Sequence, residues 1–148
     1  MRKLQRIRDE NIPASFIGLK REEALFKLLA RQRSILKGEE EKHIFTGSWS
    51  DTKPQLNKES SQKCAYCESN TSLVAYGDVE HYRPKSKYWW LAYCYDNYLA
   101  SCQLCNQKYK RAKFHTHGES LKEPEIRADL DDNALRVIAR SLTPDPLE

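Results

Sequence analysis

Five cysteines, Cys64, Cys67, Cys94, Cys102 and Cys105, are the most chemically telling residues of this 148-residue chain. Four of them form two Cys-x-x-Cys pairs, with 34 residues between Cys67 and Cys102. A tight turn brings two thiolates to one ion, and two such turns complete a tetrahedral set, which is the spacing of a zinc site. In a reducing compartment zinc is favoured over disulfides. The other reading of the same residues is a redox pair beside a structural pair. Four thiolates leave zinc no open position, so the ion would be structural, and it would supply stability that a small core lacks. Cys94 is left over in the run YWWLAYCYDNY and is expected to be a small buried hydrophobe.

Between the pairs lies Asp78–Ser86, DVEHYRPKS. Asp78 and Glu80 are two apart, so on a strand they share a face, and His81 is next in line. Convergent carboxylates beside a histidine can hold a hard divalent cation next to a base. Adjacent strand residues point apart, so Glu80 and His81 meet at one centre only where the strand ends or twists. Pro84, three residues on, allows that. An isolated Glu-His pair is otherwise a surface acid and a hydrogen-bonded histidine. Asn106 directly follows the last cysteine, where a metal would pin it, and its amide oxygen suits a hard cation. Lys108, Lys110, Arg111 and Lys113 follow without an acid before Glu119. Lys110 and Lys113 share a helical face suited to phosphate, although such a run also reads as a solvated basic face.

These residues need elements to position them. REEALFKLLARQRSILK at 21–37 has apolar residues at 25, 28, 29, 35 and 36, which predicts a helix stopped by Gly38. The run at 39–42 reads as a solvated face. Pro54 starts a short helix expected to reach Gln62. Asp78–Tyr82 and Tyr98–Ser101 read as short strands, and 104–113 as a helix. In the tail, apolar residues at 135, 138, 139 and 142 predict an amphipathic helix over 131–142, capped by Asp131 or Asp132 and ended by Pro144. That helix either docks on the body or belongs to something larger. The organisation expected is a helical region over 1–61, a core over 62–114, and an acidic tail over 115–148.

The ordered set Cys64-Ala-Tyr-Cys67, Asp78-Val-Glu80-His81-Tyr-Arg83-Pro84, Asp96-Asn97-Tyr-Leu-Ala-Ser-Cys102 and Cys105-Asn106 resembles the His-Asn-His (HNH) nucleases. The likeness covers about residues 62–113. Within that family KCAYCE, GDVEHYRPKS and CYDNYLASCQLCNQ look most like the small effectors of Septu-type and retron-type phage-defence systems. The resemblance implies an α+β fold, a ββα-metal core stapled by a four-cysteine zinc site, here flanked by N-terminal and C-terminal helices. It implies His81 as the general base, Glu80 as an acidic ligand to a catalytic cation, and Asn97 as the residue that orders the hairpin loop. Asn106 stands where many members carry a last histidine. The asparagine favours an oxygen-preferring ion, magnesium or manganese. Asp78 is a helper by position. Arg83, Lys85, Lys108 and Lys110 are the candidate phosphate contacts, with DNA as the expected substrate and an ATPase as a partner. The rival class is a non-enzymatic zinc-ribbon module that binds nucleic acid or protein.

Charge and hydropathy fit this frame. The chain is +4 overall, from 25 basic and 21 acidic residues. Residues 1–118 carry +8 (21 basic, 13 acidic) and residues 119–148 carry −4 (4 basic, 8 acidic). A basic body suits a polyanionic partner. The longest apolar run is Tyr88–Tyr95, short of the ~18 residues of a membrane helix. No apolar stretch follows MRKLQRIRDE, so no secretory signal is read and a soluble, cytoplasmic protein is expected.

Overall fold

A computed structural model describes residues 6, 12–71, 77–114 and 121–142. Helix α1 runs over Gly18–Leu36 and buries Leu25, Leu28 and Leu29, spaced to face one side. It begins three residues before the expected start and ends one residue before the expected Lys37, with Gly38 as the stop. Gly38 takes φ +75°, its N–H bonds the Ile35 carbonyl at 3.0 Å, and the Glu39 N–H bonds that of Ser34 at 3.0 Å. This left-handed glycine closes the helix by satisfying its last carbonyls. The acidic run behind it is exposed.

A 3-10 turn, Ser48–Thr52, leads into α2, Lys53–Glu59, with Pro54 in its first turn. The helix stops short of Gln62 because Ser61 and Gln62 adopt left-handed φ values of 53° and 58°. That turn delivers the chain to the first cysteine pair. Buried Glu59 accepts hydrogen bonds from the Tyr95 hydroxyl at 3.0 Å and from Arg6 Nη1 at 3.1 Å.

The sheet is an antiparallel pair, β1 (Asp78–His81) and β2 (Tyr98–Ser101). Asp78 faces Ser101, Glu80 faces Leu99 and His81 faces Tyr98. The first strand ends one residue earlier than expected and the second matches its expected span. A π-helical segment, Leu104–Lys110, follows the second cysteine pair. It stops before residue 113 because Arg111 turns to φ 48° and ψ −126°.

Helix α3, Asp132–Ser141, is capped by Asp131, whose Oδ1 accepts from the Ala134 N–H at 2.8 Å. It docks on the body. Leu135 and Ala139 are buried in one core with Leu25, Leu28 and Leu29 of α1 and with Tyr88, Trp89, Trp90 and Ala92 of the loop between the strands. Arg33 reinforces the joint through the Leu130 carbonyl at 2.9 Å and Asp132 at 2.8 Å. A second core, Phe16, Leu56, Tyr95, Tyr98 and Ala100, lies under β2. The architecture is thus mixed helix with a small two-stranded sheet, and both cores brace the loop and strands that carry the candidate chemistry. Cys94 is only half-buried, a departure from the full burial expected of it. No described helix is long and apolar enough to cross a membrane.

Candidate active site and metal centre

The two cysteine pairs converge. One sulfur from each of Cys64, Cys67, Cys102 and Cys105 lies within 4.8 Å of all the others. All four are free thiols, and Cys67 Sγ and Cys102 Sγ are 3.8 Å apart. Tetrahedral zinc with Zn–S bonds of ~2.3 Å separates its sulfurs by roughly 3.8 Å, so the quartet fits the ion. The knuckle geometry agrees. The Tyr66 N–H points at Cys64 Sγ (3.4 Å) and the Cys105 N–H at Cys102 Sγ (3.5 Å), donors that stabilise thiolate. Burial pushes the Cys64 thiol up, yet the N–H groups of Cys102, Cys67 and Tyr66 and the Ser101 hydroxyl outweigh it and bring the pKa down to about 6. Four cysteines are therefore positioned to hold a metal ion such as zinc. Among the described residues they are the one group of three or more Cys, His, Asp or Glu side chains close enough to share an ion.

Beside the hairpin is a cleft of about 620 Å³, lined among others by Asp78, Glu80, His81, Lys85 and Asn106. Glu80 and His81, neighbours on β1, both reach it, because the strand ends at His81. The two are 2% and 8% exposed, which is unusual for such polar groups and demands partners. His81 Nε2 lies 2.9 Å from the Ala92 carbonyl oxygen, which also accepts from the Tyr98 hydroxyl at 2.6 Å. A carbonyl only accepts, so Nε2 carries the proton and Nδ1 of the neutral ring keeps a free lone pair. Burial pushes the His81 pKa down to about 4, helped by the charges of Lys85 and Lys110 and opposed by the Ala92 contact. The ring is wedged edge-on between Trp49 (4.9 Å) and Tyr98 (5.0 Å).

Asn97 ties the loop down. Its Oδ1 accepts from the Arg83 N–H at 2.9 Å, its Nδ2 donates to the Arg83 carbonyl at 3.0 Å, and its own carbonyl accepts from the Tyr82 N–H at 2.9 Å. These bonds fix the exit of β1 just after His81. Asn106 sits on the π-helical segment and donates through Nδ2 to Asp78 Oδ2 at 3.2 Å, as Gln107 does at 3.1 Å. Its Oδ1 is then the amide atom turned away from Asp78.

The predicted phosphate contacts separate. Lys85 lines the cleft, its ammonium over Trp49 (5.1 Å) and Phe45 (6.0 Å). Arg83 is stacked between Phe114 (4.9 Å) and Tyr88 (5.3 Å). Lys108 is exposed, 5.9 Å from the Tyr109 ring. Lys110 is not a free surface cation. Its ammonium forms an ion pair with Glu80 Oε1 and donates to the His81 carbonyl at 2.8 Å. Burial raises the Glu80 pKa, and Lys110 and Lys85 counter it. Sequence reasoning missed Phe45, Trp49 and Lys53, which form another part of the lining. They lie 28 or more residues before His81, and no local pattern links them to it.

Comparison with known proteins gives two relatives. One, from Bacillus mycoides (strain KBAB4), is 37% identical over 78 residues, covering 44% of this chain and 26% of its own. The other, from Bacillus thuringiensis, is 40% identical over 73 residues, covering 49% of this chain and 26% of its own. Both bear one name. In part, this chain is similar to the Septu protein PtuB. The chain spans about a quarter of the length of these two PtuB proteins. No family model and no solved structure matches.

Proposed function

We propose that this protein is a metal-dependent endonuclease of the HNH type, acting on nucleic acid, with DNA the favoured substrate, in anti-phage defence. The observation that carries the reading is the neutral His81, held through Nε2 by the Ala92 carbonyl and sharing one cleft with the buried Glu80. That arrangement leaves Nδ1 as the ring nitrogen able to accept a proton. The PtuB likeness supports the defence role. A partner ATPase is proposed on the sequence resemblance alone.

Glu80 and the Asn106 amide oxygen are the groups that would hold a magnesium or manganese ion, with waters completing a shell that is normally mostly water. Such an ion would supply Lewis-acid neutralisation of the charge that builds in phosphodiester cleavage. His81 takes a proton from the attacking water through Nδ1. The Ala92 carbonyl keeps the ring in the required tautomer, and Asn97 keeps the loop in register. Lys85 offers charge to a phosphate without reading sequence. The cysteine quartet takes no part in the chemistry and holds Asn106 in place.

One observation favours the rival zinc-ribbon module: Lys110 already occupies the Glu80 carboxylate. Asn106→Ala separates the two readings. In the nuclease it weakens the catalytic metal, so cleavage falls at low manganese and recovers as manganese is raised. In the module there is no metal-dependent cleavage to lose. The assay is strand cleavage against manganese concentration, with melting measured in parallel because Asn106 also holds Asp78.

A further inference from the structure

We propose that Arg111 is a phosphate-contacting residue of the cleft, held there by a backbone conformation that only glycine adopts without strain. This rests on the reading of the cleft as a nucleic-acid site.

Arg111 has φ 48° and ψ −126°. For an L-residue this is disallowed space, where Cβ crowds the backbone, whereas glycine enters it freely. Such outliers persist only where the surroundings over-determine them, and they cluster at functional sites. The surroundings here are specific. The Arg111 N–H closes the π-helical segment on the Asn106 carbonyl at 3.0 Å. Its own carbonyl is turned to Lys110 Nζ, 3.4 Å away, the same ammonium that holds Glu80 and the His81 carbonyl. The kink at 111 thus organises the candidate centre, but a glycine would make the same two backbone contacts.

The side chain is what a glycine would not supply. It lines the cleft together with Glu80, His81, Lys85 and Asn106. Its Nε donates to the Gln107 carbonyl at 2.9 Å, which steers the guanidinium and leaves the fork of Nη donors unspent on that bond. No described acidic side chain forms a salt bridge with it. An exposed, unneutralised guanidinium beside a candidate base has the shape and charge to take a phosphate through two parallel bonds.

Strain and contact predict effects of opposite sign, and three variants of the zinc-loaded full chain separate them. Arg111→Gly removes both strain and side chain, Arg111→Ala only the side chain, and Arg111→Lys keeps the charge. Melting temperature is measured, together with binding of a 20-base-pair DNA duplex across a salt series without added magnesium or manganese. Arg111→Gly is expected to melt roughly 3–10 °C above Arg111→Ala, the range that relief of one such outlier gives in a chain of this size. Both variants should bind the duplex more weakly, with the slope of log K against log salt lower by about one, and Arg111→Lys should restore the slope. The proposal is overturned if Arg111→Gly binds with the parent's affinity and slope, or if it melts no higher than Arg111→Ala. A parent that cleaves DNA while its Arg111 variants bind unchanged overturns this inference alone. A parent that binds no DNA overturns it together with the nuclease reading.

Discussion

Cys102→Ser is expected to cost the protein its native hairpin, not just its activity. The quartet joins the turn at 64–67 to the end of β2, and the sheet it staples is two strands of four residues each. A hairpin of that size is not stable by itself in water. Where a structural zinc is bound, its binding free energy is folding free energy, apparent values being ~10–16 kcal/mol in small zinc domains. Serine offers a poorer ligand, and Cys102 is also the sulfur to which the Cys105 N–H points. Metal analysis of parent protein purified reduced and without chelator should give one zinc per chain. The variant should lose the ion, its cooperative melting and its resistance to protease. Cys94→Ser, outside the quartet, should keep all three. Parent protein that is fully folded without zinc would contradict the assignment.

His81→Ala should lower strand cleavage by about 10²-fold or more, the usual loss when a general base is removed. The structure adds a stability term. The ring fills space between Trp49 and Tyr98, so deleting it leaves a void worth about 1–3 kcal/mol. The Ala92 carbonyl keeps the Tyr98 hydroxyl as a donor, so no buried acceptor is stranded. The variant should therefore melt lower, remain folded and keep zinc and DNA affinity. His81→Gln sharpens the test, since its amide can still donate to Ala92 but cannot act as a base. Raising magnesium or manganese should rescue neither variant, unlike Asn106→Ala. Parent-like cleavage by His81→Gln would remove His81 from the mechanism.

The parts of this fold that were legible in the sequence are those fixed by local spacing. Two Cys-x-x-Cys pairs can be recognised without knowing how the chain brings them together. The strands around Glu80 and Tyr98 are punctuated by Gly77 and Pro84 and by the second cysteine pair, and their common face follows from a period of two. The tail helix showed its apolar stripe, though not that Leu135 and Ala139 would meet α1 and the Trp89–Trp90 loop. What escaped depends on contacts distant in the chain. That Arg83 stacks on Phe114, 31 residues on, has no local sequence signal. Lys110 and Lys113 share a face at 3.6 residues per turn. The π-helical segment ends at Lys110, where Arg111 turns the chain, so Lys113 lies outside it, and Lys110 pairs with Glu80. Trp49 and Phe45 reach the cleft by tertiary packing alone.

The central claim, that Glu80 and His81 form a metal-dependent phosphodiester-cleaving centre, is tested most directly by plasmid nicking. The parent protein, carrying its zinc and dialysed free of other divalent ions, is incubated with supercoiled plasmid alone, with magnesium and with manganese. No nicking is expected from the zinc-loaded protein alone, and nicked or linear plasmid is expected once magnesium or manganese is added. Intact plasmid under all three conditions, or equal nicking without added metal, would contradict it.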